Sequence, residues 1–175
     1  RILKLYKAKI LDIATEVVKT LTEDNSVEIS PQNFQESIKD LEAIMGEFLR
    51  RDSKISKDTK DIMNISSISY DQFGRERSKI AKQQGHPTGS DIEKYLSRQF
   101  IESFMISKFV DEVYADDSDM YKAVIKILRS YHVDERQIRE DAESVIKNIS
   151  KGTVEYEMAL ARAVRETKRR KGLIN

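Results

Sequence analysis

Apolar residues recur every three or four positions along most of this chain, and no other feature constrains its fold as tightly. On an α-helix such positions share one face, so the spacing specifies helices that bury a single stripe. Leu3, Tyr6, Ile10, Ile13, Ala14, Val17 and Leu21 keep this register and predict a first helix from about Ile2 to Leu21. The polar stretch Thr22–Ser26 ends it, and Val27-Glu28-Ile29 allows a brief extended segment. Phe34, Ile38, Leu41, Met45 and Phe48 form the next stripe. Ser30 is placed to cap this second helix, and Pro31 suits its first position because the missing donor is not needed there. A shorter third helix is expected from Ser56 to about Ile65, and a fourth from Ser69 to Gly85, with Pro87 just beyond.

Gly85-His86-Pro87-Thr88-Gly89 reads as a linker. Beyond it, Ser90-Asp91-Ile92-Glu93 has the spacing of a capping box, in which Ser and Glu satisfy each other's backbone donors. The helix that follows is apolar around much of its circumference, from Leu96 through Phe100, Ile101, Phe104, Met105, Ile106 and Phe109 to Tyr114. Such a wide stripe predicts burial on two sides, and Phe100, Phe104, Met105, Phe109 and Tyr114 become the expected partner interface. Asp116 to Asp119 break the chain and cap a helix carrying Met120, Val124, Ile127, Leu128 and Tyr131. Ile138, Ala142, Val145 and Ile149 define another from Asp134 to Ile149. Gly152 and Thr153 introduce a last helix that runs to about Lys171.

With only 6 Gly and 2 Pro in 175 residues, there is little material for the turns of a many-stranded β protein. The composition is 39% hydrophobic and 35% charged, polar for a globular chain, yet the periodicity argues for a folded one. The expected fold class is therefore all-α.

Two stretches of the sequence also look alike. Asn64-Ile65-Ser66, Tyr70-Asp71 and Gly85 reappear as Asn148-Ile149-Ser150, Tyr156-Glu157 and Gly172, at offsets of 84, 86 and 87. The expectation is a tandem duplication, with a first helical repeat over residues 1–86 and a second over 90–175. Each would contribute about four helices to a pseudo-symmetric bundle.

Ile68-Ser69-Tyr70-Asp71-Gln72-Phe73, continuing to Lys79-Ile80-Ala81-Lys82-Gln83-Gln84-Gly85, resembles the charged closing helix of a bacterial family catalogued as domain of unknown function 507. Thr153-Val154-Glu155-Tyr156-Glu157-Met158, continuing to Lys171-Gly172-Leu173-Ile174, resembles it as well. The resemblance covers nearly the whole chain as two tandem copies. The first copy departs from the pattern at Gly74 and at His86-Pro87, where apolar residues would close the helix. What the resemblance implies is an all-helical bacterial protein, and it carries over no active-site residues.

No constellation of residues specifies a chemistry. Cys is absent, which removes disulfides and thiol catalysis. The acids Asp111, Glu112, Asp116, Asp117 and Asp119 fail the calcium-loop template, because positions Ile127, Leu128 and Ser130 stand where a Glu is required. They read instead as caps and solvated charge. His86 and His132 have no ligand-spaced partners, so neither a zinc site nor any other metal or cofactor is expected, and His132 reads as a surface turn residue. The Gly85–Ser90 stretch lacks the Lys-Ser/Thr ending of a phosphate loop and follows no strand. No Ser-His-Asp arrangement is visible. The chain is expected not to be an enzyme.

The sharpest charge feature is Arg162, Arg165, Lys168, Arg169, Arg170 and Lys171 on the last helix. Such a run binds nucleic-acid phosphates, or simply complements the negative end of the helix dipole. The net charge of +1 supplies no global attraction for nucleic acid. No apolar run reaches the ~20 residues that span a bilayer. The opening Arg1–Lys7 lacks a signal-peptide core, giving a cytoplasmic expectation, while the missing initiator Met leaves room for a removed leader. The expected role is a protein–protein interaction or scaffolding module, acting with a protein partner or as a homo-oligomer. The alternative is a nucleic-acid- or ribosome-associated protein using the basic last helix.

Overall fold

The computed structural model describes residues 3–175. It is all-α apart from one two-stranded ribbon. The elements are α1 (Ile10–Glu23), β1 (Val27–Glu28), α2 (Phe34–Ser66), α3 (Phe73–Gln83), α4 (Asp91–Ile106), β2 (Glu112–Val113), α5 (Asp117–Ser130), α6 (Glu135–Ser144) and α7 (Val154–Arg170). Single 3-10 turns lead into α1, α2 and α3.

The principal core is built from α1, the first half of α2, α4 and α5. Ile13, Val17, Leu21, Leu41, Met45, Leu96, Phe100, Met120 and Leu128 are all buried in it. α1 packs on α2 and on α5, and α4 packs on α5 and on α2. β1 and β2 pair antiparallel across this core, Val27 opposite Val113 and Glu28 opposite Glu112. Both sides of the Gly85–Gly89 linker thus contribute to one hydrophobic cluster. α3 folds back on the second half of α2, and α7 folds back on α6, giving two hairpins that each bury a small cluster of their own. The α6–α7 hairpin is tied to the body by Tyr6, Ile138 and Leu173, with Val133, Val164 and Ile174 packed around them.

Several elements differ from expectation. The predicted start of the first helix at Ile2 lies outside the described residues, and the described chain enters α1 only at Ile10. Leu3, Leu5 and Tyr6 are nonetheless buried, because the segment before the first 3-10 turn lies against the body. The expected second and third helices are one continuous 33-residue helix, α2. The charged stretch between Phe48 and Ser56 contains no Gly or Pro to break it. Ser30 does not cap α2; its hydroxyl donates to Asp111 at 2.6 Å, joining the approach to α2 to the approach to β2.

The capping box at Ser90 does not form. Glu93 is buried instead, with its carboxylate accepting from Arg129 Nε and His132 Nε2, each at 3.1 Å. A buried carboxylate needs such partners, and these outcompete a backbone N–H at the helix end. α4 stops at Ile106, well short of Tyr114. α6 stops at Ser144, so Val145 is 60% exposed and not in the core. By contrast Asp116 and Thr153 cap α5 and α7 as their sequence positions suggest, accepting from Asp119 N–H and Tyr156 N–H.

α3 and α7 end alike. Gly85 and Gly172 take positive φ, +67° and +72°, where an L side chain is strained. The next residue closes each helix: His86 N–H reaches the Ala81 carbonyl at 2.8 Å, and Leu173 N–H reaches that of Lys168 at 3.0 Å. Each closing side chain is then buried.

Candidate functional site

The expected partner interface is divided by the fold. Phe100 and Phe104 lie inside the principal core, at 0% and 3% exposure, and are not available to a partner. Phe109 is half-buried under the Lys108 ammonium, 5.3 Å from its ring centre. Met105 and Tyr114 are exposed, with Ile106 beside Met105 more so. The physical reason is the break at Ile106. It turns the apolar run from one two-sided helix into a core helix followed by a turn at Lys108-Phe109 that leads to β2.

Exposed apolar side chains gather elsewhere, at the turn ends of the two hairpins. Ile62 and Ile65 lie one turn apart near the end of α2, and Tyr70 follows in the turn, stacked on Phe73 at 5.5 Å. Ile65 is 85% exposed, and among the described residues only Ile62 and Ile106 join it as exposed isoleucines. On the second hairpin Val145, Val154 and Met158 are exposed. The sequence periodicity places all of these on helices or at their ends. It cannot distinguish an apolar residue that faces a core from one on a hairpin end that faces water.

The six cations of the last helix have separate fates. Lys168 is half-buried, 5.4 Å from the centre of the Tyr6 ring and 3.7 Å from Glu135. Burial pushes its ammonium below the usual lysine range, Lys4 adds to this, and Glu135 opposes it. Tyr6 donates its hydroxyl to the same Glu135 carboxylate, and burial, then that hydrogen bond, push the phenol above its usual range. Arg169 pairs with Glu166 at 2.6 Å, and Lys171 approaches Asp141 at 3.8 Å. Among the described residues no acid lies within ion-pair distance of Arg162, Arg165 or Arg170. Lys168 and Lys171 thus face acids of α6, Arg169 pairs within α7, and the other three face outward.

Both histidines are structural anchors that their sequence positions did not reveal. His86 is 5% exposed and stacks on Phe48 with ring centres 4.8 Å apart. Its Nε2–H donates to Asp52 at 2.9 Å, and the same carboxylate oxygen receives Arg77 at 2.7 Å. Arg77 also reaches Ser56 Oγ and the Asp52 carbonyl. Asp52 on α2 thereby holds α3 and the linker in place. His132, expected on the surface, is nearly buried against Glu93. Only a long-range contact could have disclosed either role.

Among the described residues no three His, Asp or Glu side chains are grouped to share a metal ion. No helix among them is long and apolar enough to cross a membrane. No curated protein matches the chain. The model of the family described as "Protein of unknown function (DUF507)" matches residues 3–173. It covers both look-alike segments as one domain, which corrects the expectation of two tandem copies. The chain therefore belongs to the DUF507 family, and a single family domain accounts for almost all of it.

Proposed function

We propose that this protein is a non-enzymatic interaction module that engages a protein partner through the apolar ends of its helical hairpins. The observation that carries this reading is the group Ile62, Ile65 and Tyr70 at the end of the α2–α3 hairpin, exposed together on a structure whose core is otherwise well covered. Isolated surface apolar residues are ordinary in folded proteins, but clustered ones mark contact sites. Met105, Ile106 and Tyr114, from the interface predicted by sequence, add exposed apolar area on the body. Light scattering of the wild type and of the Ile65→Asp/Tyr70→Ser variant tests self-association. Affinity purification from the native cell with the same pair tests a different partner. Identical mass and identical recovered proteins for both would count against this surface.

A second reading, a nucleic-acid- or ribosome-associated role, is supported by the outward guanidinium groups of Arg162, Arg165 and Arg170. Arginine in this state binds phosphate in a bidentate manner. Its test is RNA binding as a function of salt, with a log–log slope that shrinks when the three residues are replaced by Gln. Binding that is absent at low salt, or unchanged by the replacement, eliminates it.

A further inference from the structure

A cleft of about 780 Å³ lies between the end of α3, the Gly85–Gly89 linker and the first turns of α4. Its lining is unusual in charge. Lys82 reaches it from α3, and Lys94 and Arg98 reach it from α4. Asp91 is the one carboxylate among the lining residues. Among the described residues none of the three cations has an acid within ion-pair distance, whereas most helix-surface cations of the α2–α3 and α6–α7 hairpins that find partners do so three or four residues away. Lys94 and Arg98 are four residues apart on one helix face and so repel each other. Positive charge gathered in a concave site focuses the field and raises the local concentration of anions.

The back wall adds two further features. Tyr95 lines the cleft, and behind it Arg51 donates to the Tyr95 hydroxyl at 2.6 Å with its guanidinium 5.7 Å from the ring centre. Arg51 Nε is buried without a hydrogen-bond partner. His86 also lines the cleft; it is 5% exposed and its Nδ1 is likewise buried and unpartnered. Of these two groups only the one on His86 belongs to a lining residue, and both are closed to solvent, so the charge offered to a ligand is that of Lys82, Lys94 and Arg98. His86 is held in the wall by Phe48 and Asp52, and Tyr95 by Arg51.

We infer that this cleft binds a small organic phosphate, its phosphoryl group among Lys82, Lys94 and Arg98 and its organic part against Tyr95 and Pro87. Convergent lysine and arginine suit a multiply charged tetrahedral anion, with Arg98 supplying the bidentate contact and the lysines point charges. The volume exceeds what inorganic phosphate alone would fill, and the aromatic and proline faces are apolar. The site does not follow the phosphate-loop pattern, since its charges come from two helices that flank the linker. It is independent of the interaction surfaces proposed above.

Calorimetric titration of the full chain with AMP, adenosine and inorganic phosphate tests the inference. The Lys94→Gln/Arg98→Gln variant is compared with Arg162→Gln/Arg165→Gln, which removes equal charge from α7. The expected result is binding of AMP, weaker binding of phosphate and none of adenosine, with AMP affinity falling about tenfold or more in the cleft variant and unchanged in the α7 variant. All four side chains are exposed, so thermal unfolding of both variants should match the wild type. Adenosine binding as tightly as AMP, no binding of either phosphate, or equal losses in both variants would overturn the assignment. Retention of a decauridine RNA through Lys94 and Arg98 with no binding of AMP would overturn it in favour of a nucleic-acid surface.

Discussion

At the residue scale, burial decides which apolar positions matter. Ile38 and Val145 occupy equivalent-looking places in their stripes, yet Ile38 is 2% exposed and Val145 is 60% exposed. Ile38→Ala should cost ~2–5 kcal/mol in urea denaturation, and Val145→Ala within ~0.5 kcal/mol of zero. Tyr6 offers a second test. Its phenol ordinarily titrates at 10.0 and is held above that by burial and by Glu135. A raised folded pKa contributes stability that is fully present below 10.0 and is lost as pH rises toward the folded value. Lys168, shifted down beside it, works in the opposite sense as pH approaches its ordinary 10.5, so the comparison is made between variants. Thermal melts between pH 8 and 11 should show a shallower alkaline decline for Tyr6→Phe than for the wild type, by up to about 1.4 kcal/mol per pH unit. Parallel curves would show that the Tyr6 phenol does not contribute to the alkaline decline.

At the element scale, what the sequence disclosed and what it withheld divide along local and long-range interactions. Helix existence was legible because the stripes from Ile13 to Leu21 and from Phe34 to Phe48 are local patterns. So were the caps at Asp116 and Thr153, which need only a neighbour three residues on. The cap at Ser90 failed because Glu93 is claimed by Arg129 and His132, 36 and 39 residues away. The break at Ile106 has no local signal, because apolar periodicity continues across it while the backbone leaves the helix to reach β2. Glu93 is thus the fastening of α4 to the end of α5. Glu93→Ala, which leaves the nearly buried His132 without its acceptor, should cost ~1–3 kcal/mol in urea denaturation. Glu93→Gln, which keeps an acceptor, should cost less. Equal stability for all three proteins would deny the fastening.

For the whole molecule, a principal core carries two hairpins whose ends stay exposed. Phe100 and Phe104 went to the core, and Lys168 and Lys171 of the basic run face acids of α6. Neither reassignment is visible in one dimension, since it depends on what each side chain meets after folding. What remains outward, the hairpin ends above all, is the surface we propose for a partner. The most direct measurement is quantitative affinity purification from the native cell, comparing the wild type with Ile65→Asp/Tyr70→Ser at matched expression and matched melting temperature. The expected result is a protein recovered in near-stoichiometric amount with the wild type and lost from the variant. Equal recovery of every protein by both forms would contradict it.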